Sequence, residues 1–207
     1  IINILYIYKY PTRNITIKTI KKDLVNFYKK YTKNNIIALL KNQNKLIFAK
    51  LLSDNKVNIE TIINSDDYYC TLLDLWILVE IYDIPTIFKS SKLLQDTNTD
   101  LLIINKNKIN YNFFIIKVPR VYPNKIPKYR IMSVEQNIYI DKHDLSDKYN
   151  SFIKKEIYYK SSIEYINNVL LSSLNIKKNK KLKRIHKKND NIINKIEHID
   201  RVKGADK

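Results

Sequence analysis

The order of hydrophobic patterns predicts an α+β fold: a helical N-terminal part, a central buried helix followed by a small mainly antiparallel sheet, then C-terminal helices and a basic tail. Three observations carry this. Apolar residues between 16 and 52 recur at spacings of three and four. Residues 72–81 are apolar nearly all round. Short β-branched and aromatic runs between 85 and 141 are separated by Asn, Lys and Pro.

Residues 1–10 alternate loosely, are rich in Ile and Tyr, and stop at Pro11, which predicts a strand. From Thr16 to Tyr31 the apolar set Ile17, Ile20, Leu24, Val25, Phe27, Tyr28 and Tyr31 has helical spacing, with lysines on the other face. Residues 36–40 and 46–52 continue as helix, broken near Asn42–Asn44. Residues 58–64 form a short apolar piece of unassigned type. Thr71 and Asp74 make a capping box before Leu72–Ile81, a helix apolar enough to be central. Strands are predicted at 85–89, 101–105 and 111–118, the last two joined by a hairpin-sized link at 106–110. A second pair is predicted at 129–134 and 138–141, beyond a loop marked by Pro119, Pro123 and Pro127. Helical stripes return at Tyr149, Phe152, Ile153 and Ile157. Another stripe runs through Ile163, Ile166, Val169, Leu170 and Leu174, capped at Ser161 or Ser162. Residues 192–199 have the pattern of a short amphipathic helix. No internal repeat is visible.

One domain over residues 1–175 is expected, divisible into a helical part at 1–64 and an α/β core at 65–145. A flexible tail is expected over 176–207. Of the 207 residues, 44% are hydrophobic, enough for a core, yet the formal net charge is +18. Residues 176–207 contribute 12 Lys/Arg against 4 Asp/Glu. Such a field attracts polyanions: nucleic acid or an acidic protein surface. Ile, Asn, Lys and Tyr are abundant, and this bias also follows from A/T-rich codons. A single cysteine excludes an internal disulfide, so a reducing, intracellular compartment is expected. No run of about 18 apolar residues predicts a membrane span. The chain opens on Ile1, so a fragment or processed product is expected.

Gly204 is the only glycine. Glycine-rich phosphate loops are therefore absent, because they need backbone close to the anion at dihedrals other residues resist. This argues against nucleotide hydrolases and dinucleotide-binding enzymes, and no cofactor is expected. Cys70, His143, His186 and His198 are too scattered for a four-ligand zinc site, and no metal is expected. Glu80, Asp83 and Lys89 lack the spacing of a metal-dependent nuclease; Asp74 and Asp83 more simply cap or flank the central helix.

Two constellations remain. Cys70 precedes the central helix, where the helix dipole lowers a thiol pKa, and His143 lies beyond the strands, flanked by Asp141 and Asp144. Cysteine, strands, then histidine is a cysteine-hydrolase order. The tail cations Lys177, Lys178, Lys180, Lys181, Lys183, Arg184, Lys187 and Lys188 suit salt-sensitive, sequence-independent phosphate contact. Arg120, Lys128 and Arg130, in a tyrosine-bearing loop region, form a second anion-contact candidate.

The element order over residues 65–118 resembles that of OTU-type cysteine proteases. The resemblance implies Cys70 as nominal nucleophile. The Asp-Gly-Asn-Cys loop is absent, and Lys117 stands where that family carries histidine, which implies an inactive variant. Residues 68–91, YYCTLLDLWILVEIYDIPTIFKSS, with the Asn/Ile/Lys/Tyr bias, resemble proteins of A/T-rich large nucleocytoplasmic DNA viruses. That resemblance implies host cytoplasm, nucleus or virion as the location.

Three readings follow. The first is a non-enzymatic accessory or interaction domain that binds nucleic acid or another polyanion through its tail. The second is an OTU-like hydrolase fold, and the third a structural module of a larger viral polypeptide.

Overall fold

The computed structural model describes residues 1–89, 101–104, 112–120, 122–133, 138, 140–141 and 161–175. It is an α+β protein with its helices concentrated in the N-terminal part. The helices are α1 (Ile2–Lys9), α2 (Ile17–Tyr28), α3 (Lys33–Asn42), α4 (Leu46–Ser53), α5 (Ile59–Asn64) and α6 (Leu72–Ile81). A seventh, α7, covers residues 162–175. The strands are β1 (Thr86–Lys89), β2 (Leu101–Ile104), β3 (Asn112–Lys117), β4 (Arg130–Met132) and β5 (Ile140–Asp141).

The chain divides into two compact units, Ile1–Asn167 and Asn168–Lys207. Of the second, only residues 168–175 are described, where Ser173 Oγ donates to the Val169 carbonyl at 2.9 Å. The predicted helices at 146–157 and 192–199 lie outside the described residues.

In the first unit α6 is the central element. Leu72 through Val79 are all buried, and Trp76 is wholly inaccessible. Each fully buried aliphatic side chain there contributes about 1.5–3 kcal/mol. The capping box forms, with the Thr71 N–H donating to Asp74 Oδ2 at 2.9 Å. Tyr165 of α7 stacks on Trp76 at 5.8 Å and donates to Asn42 Oδ1 at 2.7 Å. Ser161, one of the two predicted caps, accepts the Glu164 N–H at 3.2 Å.

Helix ends in this glycine-poor chain are closed by Asn and Asp. Asn44, Asn55 and Asp83 each lie two residues past a helix end with φ of 59°, 58° and 53°. Each is followed by the same bond pair; after α3, Lys45 N donates to Leu40 O and Asn44 N to Lys41 O. This is the Schellman motif, whose left-handed position Asn and Asp tolerate through their short polar side chains.

Residues 1–10 correct the predicted strand: they form α1. Ile2 and Leu5 are buried three residues apart, while Ile4, Ile7 and Tyr8 are exposed. Apolar residues on both faces blurred the period, and β-propensity yielded to docking on α6 and Tyr82. Tyr6 meets Tyr82 edge-on at 5.3 Å, and Tyr10 donates to the Tyr82 carbonyl at 3.1 Å. The unassigned piece at 58–64 is helix α5, capped by Asn58 and buried through Ile59, Ile62 and Ile63.

The sheet runs β2-β1-β3-β4, with β5 also pairing β3. Three of its four pairings are antiparallel; β1 and β3 are parallel. The predicted hairpin between residues 101–105 and 111–118 is therefore corrected, because β1 lies between those strands. Phe113 to Ile116 are buried, as is expected of a strand with neighbours on both edges. Likewise β4 and β5 pair with β3 and not with each other.

Candidate nucleic-acid interface

At the end of β3 the sheet leaves the core. Lys117 is exposed, while the four residues before it are buried. Its register partner on β1 is Lys89 and its partner on β4 is Arg130. Three cations from three neighbouring strands therefore stand in one row. Paired residues of adjacent strands project to the same face, and neighbouring strands lie about 4.8 Å apart. The row's backbone thus spans about 10 Å. Lys117 and Arg130, both exposed and directly opposite, repel one another weakly.

Residues 118–133 extend this surface without a single Asp or Glu. Arg120, Lys125, Lys128 and Arg130 are all exposed. Within this stretch Tyr122-Pro123-Asn124-Lys125 is a turn: the Lys125 N–H donates to the Tyr122 carbonyl at 3.2 Å. Pro123 presets the first central position, and Asn124, with φ 52°, supplies the left-handed second one. The turn is pinned to the α3–α4 junction. Asn124 N donates to the Asn44 carbonyl at 2.9 Å, and Asn124 Oδ1 accepts the Ile47 N–H at 3.0 Å, capping α4. Tyr122 is 54% exposed, and the Arg120 guanidinium lies 5.4 Å from its ring centre.

A second polar cluster lies inside the helical part. Lys45 and Asp74 form an ion pair with both side chains inaccessible to solvent. Asp74 also accepts from Tyr28 at 2.8 Å and Tyr68 at 3.1 Å, and Lys45 donates to Tyr68 at 2.8 Å. Gln43 links the group through Tyr28 at 2.8 Å and through Thr71. Burial, and secondarily the Asp74 charge, holds the Tyr28 and Tyr68 hydroxyls well above the usual tyrosine range. With each of these groups bonded within the protein, the cluster joins α2, α3, α4 and α6 instead of presenting groups to a ligand.

Cys70 borders that cluster and a cavity of about 320 Å³ lined by Ile2, Ile20, Leu75, Leu78 and Tyr129 among others. Burial, reinforced by Asp74 and only partly offset by Lys45, pushes its thiol up to about 12. The direction is opposite to the helix-dipole lowering expected from sequence position, because desolvation and the carboxylate outweigh the dipole. His143 lies outside the described residues, as do His186, His198 and the tail cations Lys177, Lys178, Lys180, Lys181, Lys183, Arg184, Lys187 and Lys188. Among the described residues no group of three or more His, Cys, Asp or Glu is placed to hold a metal ion. Among the same residues no helix is long and apolar enough to cross a membrane.

The structure places Arg120, Lys128 and Arg130 on the same basic segment and adds Lys89 and Lys117 to Arg130. Sequence reasoning missed those two. Lys89 is 28 positions from Lys117 in the sequence, and Lys117 is 13 from Arg130, so no local pattern announces such a row. No family model, curated protein or solved structure matches the chain.

Proposed function

We propose that the protein is a non-enzymatic domain that associates with nucleic acid through its phosphate backbone, without reading sequence. The observation that carries this reading is the exposed Lys117–Arg130 pair, set in register on neighbouring strands. Two exposed cations held in register gain from an anion that touches both. The acid-free segment 118–133 and the net +8 of residues 176–207, from 12 cations and 4 acids, supply further phosphate contacts. An exposed tyrosine among the cations favours nucleic acid over an acidic protein, since nucleic acid offers bases to stack as well as charge.

The test is fluorescence anisotropy of labelled DNA and RNA of unrelated sequences across a salt series. Affinity is expected to fall log-linearly with salt and to vary little with sequence. The double variant Lys117→Gln/Arg130→Gln should reduce the slope by about 1.4–1.8, for two lost phosphate contacts. Removing residues 176–207 should weaken binding by a further order of magnitude or more, on the order of several lost contacts. Absence of binding at about 50 mM salt, or equal retention on polyglutamate, would sink the proposal.

A further inference from the structure

Tyr122 sits on a segment of the basic surface that Asn124 fixes to the helical part, once through its backbone N–H and once through its side-chain oxygen. Tyr122 is more than half exposed, so its ring has surface open to a ligand. Its neighbour Arg120 is exposed too and lies over the ring at 5.4 Å, which puts a phosphate-binding charge beside a base-sized apolar face. Lys117, at the centre of the cationic row, precedes Arg120 by three residues. Charge and aromatic surface are thus presented together, and the turn is pre-ordered by Pro123 and by Asn124 in the left-handed region.

From this we infer that the surface selects single-stranded nucleic acid, with Tyr122 stacking on an unpaired base while Lys117, Arg120 and Arg130 hold the adjoining phosphates. The inference rests on the nucleic-acid reading above. Its physical basis is that a duplex buries its base faces in its own stack, so that only unpaired bases offer a face to an aromatic ring. Because every base has such a face, the selection is for strandedness and not for sequence.

The experiment uses the full chain and three labelled probes of about 15 nucleotides: oligothymidylate, an abasic strand of the same charge, and a duplex. Oligothymidylate is expected to bind about 5- to 150-fold more tightly than the abasic strand, the range of one stacked base. Tyr122→Ala should bring oligothymidylate down to the abasic level and leave abasic binding and its salt slope unchanged. Tyr122→Phe should keep the preference, because it keeps the ring. Thermal unfolding of each variant checks that the turn still folds. An unchanged preference in Tyr122→Ala, or equal binding of the abasic and thymidylate strands by the unmodified chain, overturns the inference while leaving phosphate binding intact. Failure to bind any of the three overturns the nucleic-acid reading and this inference with it.

Discussion

Lys45 and Lys117 are the same residue type in opposite surroundings. Lys45 is wholly buried, and Asp74 and Tyr68 accept its hydrogen bonds. Lys117 is exposed, and the register sets other cations on both sides of it. In the interior an unpaired charge is too costly, so every partner there is present and fixed. At the surface, water screens like charges, and a small repulsion persists. The first cluster is therefore a structural fastening. The second is a place where a ligand's charge has something to gain.

The sharpest way to break this contrast is to remove one member of the buried pair. Lys45→Met or Asp74→Leu alone should destabilise by about 3–5 kcal/mol, since each leaves a buried charge without its partner. The double variant should recover much of that loss, because apolar side chains replace both ions. Urea midpoints of the unmodified chain and the three variants measure the coupling. A double variant as unstable as the sum of the singles would show that Lys45 and Asp74 are not coupled.

High pH should act on the buried cluster next. Tyr28, Tyr68 and Cys70 all have pKa values raised by folding, chiefly through burial. The folded chain thus keeps protons that the unfolded chain releases. Stability is complete below the ordinary values of 9.0 for the thiol and 10.0 for tyrosine, and falls as pH climbs above them. Chemical-denaturation midpoints should be flat from neutrality to about pH 9 and drop beyond. Below about pH 9 Cys70 should react with iodoacetamide about a thousandfold more slowly than in the unfolded chain, its rate still rising tenfold per pH unit. A rate that levels off near neutral pH would instead reveal a stabilised thiolate.

The smallest effect belongs to the exposed row. Lys117→Gln removes the like charge opposite Arg130 and should stabilise the free protein by about 0.2–1 kcal/mol while weakening nucleic-acid binding. A loss of stability would show that the row is not under electrostatic tension. Thermal melts at low and high salt make the check, because the gain should shrink as salt rises.

Much of the fold was legible from local spacing. Thr71 and Asp74 marked the start of α6, its all-round apolar character marked its burial, and the Ser161–Ser162 pair marked the start of α7, where Ser161 accepts the Glu164 N–H. The same reading failed at α1, where Ile and Tyr favour strands in isolation but a tertiary surface on α6 and Tyr82 rewards a helix. Of the site, Arg120, Lys128 and Arg130 were visible as a basic, acid-free stretch. Lys45 gave no sign of burial, because it sits in a polar break between α3 and α4 that looks like any surface connection.

The sequence by itself determined where α2 to α4 and α6 run, where α6 is capped, and that Gly204 is the only glycine these residues carry. Those properties depend on residues a few positions apart. Only the tertiary structure decided that β1 lies between β2 and β3, that Asp74 meets Lys45, and that Lys89, Lys117 and Arg130 share a row. Pairing between distant strands is chosen by the burial of the whole sheet, and no window of local sequence contains that sum.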